Sequence, residues 1–191
     1  SATELPGFDE GLFYVQDRAA RMAVEIAAPK AGMHVLDACS CPGGKSFAAA
    51  IAMENRGSIL ACDIHEKKLR LVRDGAQRLG IDIIETAAMD ARAFRAELAE
   101  SFDVVIADVP CSGFGVIAKK PEIRSKTPES IAELPKIQGE ILDNVSKYVR
   151  PGGVLLYSTC TVTAEENENT VKAFLERNGE YTAEPFEVCG I

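Results

Sequence analysis

The 191-residue sequence predicts an α/β fold, a doubly wound and mostly parallel sheet with helices on both faces. Five short apolar runs, each of strand length, alternate with longer segments whose apolar residues recur at helical spacing. Such an alternation requires crossover connections, which are right-handed and place helices on both faces of the sheet. The runs expected to form strands span residues 33–36, 58–62, 83–87, 103–107 and 154–157.

Helices are predicted between and around these strands. Segment 66–79 carries Leu69, Val72 and Ala76 on one face, which is the pattern of an amphipathic helix, and Gly80 marks its end. The RPGG stretch predicts a later turn from helix to strand. The other predicted helices are an opening helix over 14–28, a segment over 129–149 that Pro135 kinks or divides, and a last helix over 164–177 before a short β-like piece at 181–189.

Composition indicates one domain. With 47% apolar and 26% charged residues, the chain can bury one sizeable core, so residues 1–191 are expected to form a leading helical segment, 1–30, and a core, 31–191, whose carboxyl-terminal strand pair is truncated. No apolar run approaches the roughly 20 residues that span a bilayer, and the first residues lack a signal-peptide pattern. We therefore expect a cytoplasmic monomer with no membrane partner.

The six cysteines are scattered through an α/β pattern, which favours reduced thiols over a disulfide framework. Cys39 and Cys41 have a single residue between them, whereas the usual half of a zinc site has two to four. We therefore expect no metal.

The charge of the chain argues against indiscriminate binding of nucleic acid. The net charge is -8, and neutralising phosphates requires clustered Lys and Arg. The stretch KKPEIRSK is a local exception, with Lys119, Lys120, Arg124 and Lys126 close together. On composition alone this stretch is either a solvated loop face or a phosphate contact.

The first predicted strand runs into the glycine loop DACSCPGGKS, residues 37–46, which opens a helix. Paired glycines let a ligand approach the backbone, and the N–H groups of a helix start suit an anionic group. The loop matches neither G-x-G-x-x-G nor the phosphate-binding G-x-x-x-x-G-K-[ST] pattern. A tight strand-to-helix turn without a ligand is the alternative.

Four consecutive strand ends carry an aspartate: Asp37, Asp63, Asp90 and Asp108. Asp63 follows Gly44 by 19 residues, close to the spacing at which a carboxylate accepts from ribose hydroxyls. Asp90 either accepts from an adenine amino group or caps a helix starting at the next residue. An acid-lined pocket suits a positively charged nucleoside, so S-adenosylmethionine fits better than NAD.

Lys45, within the glycine loop, has two possible roles. It either binds the carboxylate of the methionine moiety or holds one of the pocket aspartates, and the sequence does not separate these roles.

Cys111 and Cys160 follow the fourth and fifth predicted strands, beside proline and hydroxyl residues. In a doubly wound sheet, ligands bind at the carboxyl ends of the strands, so both thiols are expected to face the transferred methyl group. Carbon C5 of cytosine is a poor nucleophile until a group adds to C6, and a thiolate is suited to that addition. For either cysteine singly, burial as a small apolar residue is the alternative.

Together, the stretches DACSCPGGK, ACDIHEKKL, MDAR, DVPCSGFGVIAKKPEIR and YSTCTVTAEENE resemble the Nol/Nop/Sun family of RNA cytosine-C5 methyltransferases. The resemblance covers nearly the whole chain in the correct order, and within the family it is closest to the Sun or Fmu type, which acts on 16S ribosomal RNA. Ser40 and Cys41 stand where that family most often has two alanines.

The resemblance implies a Rossmann-like class I fold that uses S-adenosylmethionine, and it implies a role for each matching residue. Cys160 would be the nucleophile that attacks C6, Cys111 would assist loss of the C5 proton or release of the product, and Asp108 would hydrogen-bond the ring edge of the base. Thr163 is the expected N-cap of a helix that begins with Glu165, Glu166 and Asn167. The implied cofactor contacts are Cys39, Ser40, Cys41, Pro42, Gly43, Gly44, Lys45, Asp63, Asp90 and Asp108, and the implied RNA contacts are Lys119, Lys120, Arg124 and Lys126.

Two other functions are compatible with the fold. A nucleotide-dependent oxidoreductase would use Asp63 for NAD and would need neither Cys111 nor Cys160. A binding scaffold that had lost catalysis would not need to keep both cysteines and the four aspartates, so their presence favours an enzyme.

Overall fold

A computed structural model describes residues 2–186 as a five-stranded sheet with helices on both faces. The strand order is β3-β2-β1-β4-β5, and all four pairings are parallel. The predicted doubly wound α/β class is therefore confirmed. The strands are β1 (His34–Asp37), β2 (Ser58–Asp63), β3 (Ile84–Ala88), β4 (Phe102–Asp108) and β5 (Val149–Ser158).

Strand β5 begins earlier than predicted and includes the RPGG stretch, so the expected turn there is wrong. The stretch stays extended beside β4 through an irregularity in register between Phe102 and Val104. Gly152 has φ 78°, a left-handed conformation suited to glycine. A side chain on Gly153 would lie 2.8 Å from the backbone oxygen of Asp103. Two glycines thus let this stretch continue the sheet.

The helices are α1 (Arg18–Ala27), α2 (Gly44–Ala52), α3 (Glu66–Arg78), α4 (Pro128–Ala132), α5 (Leu134–Val145) and α6 (Glu168–Arg177), with short 3₁₀ turns between them. Helix α1 begins later than predicted because the Asp17 side chain accepts from the backbone N–H of Ala19 and caps it. The segment 129–149 is divided, since Pro135 lies in the first turn of α5. Residues 181–186 form no strand, and the rest of the predicted piece, 187–189, lies outside the described residues.

The core lies on both faces of the sheet. Helices α1, α2 and α3 supply one apolar cluster, which includes Val24, Phe47 and Leu69. Helices α5 and α6 supply the other, which includes Leu142 and Phe174. The central strands β1 and β4 are buried between these two layers, so the ends of the strands, and not the faces of the sheet there, are available for a ligand.

Because every pairing is parallel, the carboxyl ends of the strands lie along one edge of the sheet, where Asp37, Asp63, Asp108 and Ser158 are the last strand residues. Among residues 2–186, no helix has the length and apolarity to cross a membrane. In the same range, no three His, Cys, Asp or Glu side chains are grouped so that they could hold a metal ion.

Candidate active site

The two predicted cysteines lie side by side. Strands β4 and β5 are neighbours, with Asp108 opposite Ser158, and each strand runs into a loop that carries one thiol. The Sγ atoms of Cys111 and Cys160 are 2.9 Å apart, and the backbone N–H of Cys160 donates to Cys111 Sγ at 3.2 Å. Cys160 is exposed and Cys111 is half-buried. The site therefore presents one accessible thiol supported by a second.

The hydrogen bond between the two thiols shifts their pKa values in opposite directions. Donation by Cys111 lowers the pKa of Cys160 to about 6; burial and Asp108 oppose this shift, and the charge of Lys120 adds to it. The same hydrogen bond to Cys160, together with burial, raises the pKa of Cys111 well above its ordinary value. These opposite shifts favour, at neutral pH, a pair in which a Cys160 thiolate accepts from a Cys111 thiol.

We expect Cys160 to be alkylated faster than an ordinary thiol at neutral pH. Because its pKa is depressed to about 6, the rate should rise with pH and reach a plateau below pH 8. In Cys111→Ser, a poorer arrangement of the hydrogen bond should move that midpoint upward. The measurement is the iodoacetamide rate at Cys160 from pH 5 to 9, resolved by peptide mass spectrometry. A wild-type midpoint near the ordinary value of about 8.5 would contradict the assigned thiolate.

A buried carboxylate that sequence analysis assigned to a helix start joins the two cysteine loops. Glu166 is 3% exposed and accepts from the backbone N–H of Ser112 at 2.8 Å and from the Thr163 hydroxyl at 3.0 Å. The hydroxyl groups of Ser112 and Thr161 lie 2.7 Å apart and form a second link. The sequence signal for this role was the position of the acid in the segment that follows the predicted nucleophile, six residues after Cys160.

The predicted N-cap at Thr163 is wrong. Helix α6 begins at Glu168 with Asn167 as its N-cap residue. The Asn167 amide donates to the backbone oxygens of Thr161 and Thr163, and Asn167 accepts from the Thr159 hydroxyl. These bonds hold the residues before α6 in turns, so the hydroxyl of Thr163 is directed to Glu166 instead of to a helix.

The Asp108 carboxylate lies at the end of β4, and each of its two oxygens contacts a polar side chain. Lys45 Nζ lies 2.7 Å from Asp108 Oδ2, and the Ser158 hydroxyl donates to Oδ1 at 2.8 Å. Of the two roles left open for Lys45, the structure therefore shows the one in which it holds a pocket aspartate. The Asp108 side chain stays 35% exposed, so one edge of it remains accessible beside the cysteines.

The glycine loop folds back against the ends of β1 and β2. Ser40 N–H donates to the backbone oxygen of Cys62, and Gly43 N–H donates to the backbone oxygen of Ser40, both at 2.7 Å. Gly43 has φ 113°, and a side chain there would lie 2.6 Å from the Phe47 ring, so only glycine fits. Gly44 then begins α2, with Lys45 in its first turn.

Within this loop, exposure differs from residue to residue. Pro42 is exposed, Cys39 and Cys41 are half-buried, and Ser40 is buried, its hydroxyl having no hydrogen-bond partner within residues 2–186. Burial raises the pKa of the Cys41 thiol to about 11, so it is not a reactive thiolate at neutral pH.

Asp37 does not line an accessible pocket as predicted, because its side chain is fully buried. Its Oδ2 accepts from the Ser46 hydroxyl at 2.7 Å, while Oδ1 has no hydrogen-bond partner in the described part of the chain. Burial raises its pKa to about 7, and the neighbouring Asp108 adds to the shift. Asp37 therefore anchors the first turn of α2 through Ser46 instead of facing a ligand. The accessible carboxylates of the strand ends are those of Asp63, Asp90 and Asp108.

The structure places Asp63 and Asp90 at adjacent strand ends but gives them different partners. Asp63 Oδ1 accepts from the backbone N–H of His65 at 2.8 Å. Asp90 pairs with the Arg92 side chain through both oxygens, and hydrogen bonds from Arg92 lower its pKa. No helix begins at Ala91: residues 91–93 form a turn, so the predicted helix cap is wrong, and Asp90 instead closes that turn through the Arg92 N–H.

The four predicted RNA contacts are not equivalent. Lys119 pairs with Asp17, and Lys126 donates to the backbone oxygens of Cys111 and Ser112. Lys120 and Arg124 are exposed, and neither has an ion pair among residues 2–186. Just before this segment, Gly115 N–H donates to the backbone oxygen of Cys160 at 3.0 Å, which connects it to the loop that carries Cys160.

Comparison with known proteins gives consistent matches. The family model for the 16S rRNA methyltransferase RsmB/F matches residues 24–190. The chain is 40% identical over 176 residues to the probable ribosomal RNA small subunit methyltransferase B of Bacillus subtilis, and 42% identical over 176 residues to ribosomal RNA small subunit methyltransferase B of Vibrio cholerae. These alignments cover 91% of this chain but only 39% and 40% of the relatives.

A solved structure is also similar to this chain. The crystal structure of NSun6 from Pyrococcus horikoshii with SFG superposes with a TM-score of 0.83 at 32% identity, covering 93% of this chain and 45% of that one. The chain thus spans about two-fifths of the length of the curated relatives it matches. On the combined evidence of its fold, its family model and its relatives, the chain belongs to the 16S rRNA methyltransferase RsmB/F family.

Proposed function

We propose that this domain transfers a methyl group from S-adenosylmethionine to C5 of a cytosine in 16S ribosomal RNA through a covalent bond between Cys160 Sγ and C6. The observation that carries the proposal is the pair of thiols, 2.9 Å apart, at the ends of two adjacent strands. Family membership excludes the alternative of a nucleotide-dependent oxidoreductase. An enzyme with this substrate would act in the cytoplasm, and we expect it to act as a monomer.

The residues at the strand ends fit the cofactor. S-adenosylmethionine supplies an electrophilic methyl group on a positively charged sulfonium, and the accessible carboxylates match its charge. The loop from Cys39 to Lys45 lies at the same edge, and its Ser40 hydroxyl, which has no hydrogen-bond partner among residues 2–186, offers a polar group. Asp63 would bind the ribose, and Asp90 would lie near the adenine.

The proposed reaction begins at Cys160. Its thiolate forms a bond to C6, and the electron pair of the C5–C6 double bond makes C5 nucleophilic. S-adenosylmethionine, when bound, would supply the methyl group and leave as neutral S-adenosylhomocysteine, with the electrons of the broken methyl–sulfur bond kept on sulfur. C5 would then carry both a proton and a methyl for a time. A base removes the proton, the C5–C6 double bond re-forms, and the Sγ–C6 bond breaks with its electron pair returning to sulfur. Cys111, within contact of Cys160, assists this elimination.

Asp108 and Lys45 would act on the base. Attack at C6 builds negative charge at N3, and a preorganised positive group near that atom lowers the barrier. Asp108 would hydrogen-bond the ring edge, while the Lys45 ammonium, 2.7 Å from its carboxylate, supplies the nearby positive charge.

Lys120 and Arg124 are the proposed phosphate contacts. We expect the double variant Lys120→Ala with Arg124→Ala to weaken RNA binding and to reduce the slope of log affinity against log salt by about 1 for each phosphate that is no longer neutralised. The measurement is filter binding to a 16S RNA fragment across a salt series. Lys30→Ala is the matched control, because that exposed lysine precedes β1 at the opposite edge of the sheet. Equal slopes for the two variants would contradict the assignment.

Product analysis tests the reaction itself. Unmodified 16S RNA is incubated with the protein and S-adenosylmethionine, then digested and resolved as nucleosides by mass spectrometry. We expect 5-methylcytidine, because covalent addition at C6 activates only C5. A methyl group on the ribose, on N4 or on another base would contradict the proposal, and no methylation at all would favour a binding scaffold.

A further inference from the structure

A buried amide side chain on helix α5 donates a hydrogen bond to the loop that carries Cys111. Gln138 is fully buried, on the face of the helix that otherwise packs apolar residues against the sheet. Its Nε2 donates to the backbone oxygen of Pro110 at 3.0 Å, directly before Cys111. The same atom donates to Glu166 Oε2 at 2.9 Å. One donor bond therefore ends directly beside Cys111, and the other ends on Glu166, six residues after Cys160.

Glu166 extends this contact to the second loop. Its Oε2 also accepts from the Ser112 N–H, directly after Cys111, and its Oε1 accepts from the Thr163 hydroxyl. Its backbone oxygen accepts from the Tyr157 hydroxyl at 2.6 Å, on the strand that leads to Cys160. The two side chains thus bridge the backbone on either side of Cys111 to the segment that carries Cys160.

Every polar side-chain atom of Gln138 and Glu166 has a hydrogen-bond partner, which limits the movement of both side chains. Burial alone would raise the pKa of Glu166, but hydrogen bonds from Ser112, Gln138 and Thr163 outweigh it and keep the carboxyl ionised. Removing one partner from a buried network leaves the other groups without bonds, so the remaining groups must move to find new partners. A shift of Pro110 or Ser112 would carry Cys111 with it.

We propose that Gln138 is a positioning residue that sets the place of Cys111 relative to Cys160 and thereby controls the elimination step. The inference rests on the proposed function, in which Cys160 adds to the base and Cys111 assists its release. Gln138 bonds directly to the Cys111 loop at 3.0 Å, whereas it reaches the Cys160 segment through Glu166 and through a longer hydrogen bond, 3.4 Å, from the Tyr157 hydroxyl. Its loss should therefore disturb release more than addition.

The test is the fate of the covalent intermediate in Gln138→Leu, which fills the same space but donates no hydrogen bond. With RNA and S-adenosylmethionine, we expect release of methylated RNA to slow by about tenfold. A protein–RNA adduct should accumulate on denaturing gels, where the wild type shows little. A purely structural role would instead lower the adduct and the product together.

Asn144→Leu is the matched control. Asn144 lies on the same helix, is 4% exposed, and likewise donates to a backbone oxygen, that of Ala91 at 2.8 Å, and to a side chain, the Tyr148 hydroxyl. The substitution removes an equivalent pair of buried bonds at a loop away from the cysteines. At saturating S-adenosylmethionine we expect this variant to accumulate no more adduct than the wild type, even if its thermal unfolding midpoint falls equally.

The outcomes separate the inference from the proposed function. If Cys111→Ala accumulates adduct and Gln138→Leu does not, the positioning role is wrong and the function stands. If neither variant, nor the wild type on 5-fluorocytidine RNA, forms an adduct, the proposed function fails. Should Gln138→Leu not fold, Gln138→Met follows the shape of glutamine more closely and takes its place in the same assay.

Discussion

Replacing Cys160 with alanine is expected to abolish methyl transfer, with a fall in rate of about 10⁴-fold or more. The reason is chemical: without a nucleophile at C6, C5 of cytosine stays too electron-poor to accept the methyl group. Affinity for S-adenosylmethionine should stay within about twofold, because the thiol is proposed to contact the base and the glycine loop is unchanged. The measurements are transfer of a labelled methyl group to 16S RNA and calorimetric titration of the cofactor.

Two further variants make this result specific. Cys160→Ser keeps the size of the side chain but replaces a thiol with a pKa of about 6 by a far less acidic hydroxyl, so it should be nearly as inactive. Cys62→Ala removes a fully buried thiol in β2, and its activity per folded molecule should stay within a few-fold of the wild type. Substantial turnover by Cys160→Ala would show that methylation proceeds without this thiol.

Replacing Cys111 with alanine is expected to trap the protein on its RNA. Addition by Cys160 and methyl transfer should still occur once per molecule, but elimination should stall because the group beside the Sγ–C6 bond is missing. Turnover should fall by about 10²-fold or more, which is the usual contribution of a positioned acid or base. A band of protein plus RNA should remain after denaturation.

The trapped species also gives a kinetic signature. The amount of methyl incorporated should rise in a burst that approaches one equivalent per protein and should then stop. Loss of the hydrogen bond between the thiols should also raise the pKa of Cys160, so the burst should be slower than the first turnover of the wild type below pH 8. Normal turnover with no band on denaturing gels would mean that the two cysteines do not divide the reaction in this way.

The sheet could be predicted because its signal is local and repeated. Each buried strand is a short apolar run, and a parallel order follows from the helices between them. The boundaries that differed depend on contacts between distant residues. Strand β5 extends through its glycines because β4 lies alongside, and α6 starts late because Asn167 bonds to the loop before it. No periodicity in sequence reveals such contacts.

The same distinction holds for the site. The placement of Asp108, Cys111 and Cys160 at one edge of the sheet could be predicted, because each lies at or just after the end of a strand in a parallel sheet. Gln138 could not be assigned a role, since a single amide on an apolar helix face does not indicate its partners. The Lys45–Asp108 pair was only one of two alternatives, because the sequence does not give the distance between a loop and a strand end.

The proposed bond between Cys160 Sγ and cytosine C6 can be observed with RNA that carries 5-fluorocytidine. After methyl transfer, the fluorine on C5 cannot leave as a proton does, so the intermediate stays attached to the wild-type protein. The complex is digested with protease and nuclease, and the modified peptide is sequenced by mass spectrometry. We predict one methylated fluorocytidine nucleotide on the peptide that contains Cys160, attached at that residue. Attachment at Cys111, or a methylated product with no attached peptide, would contradict the proposed chemistry.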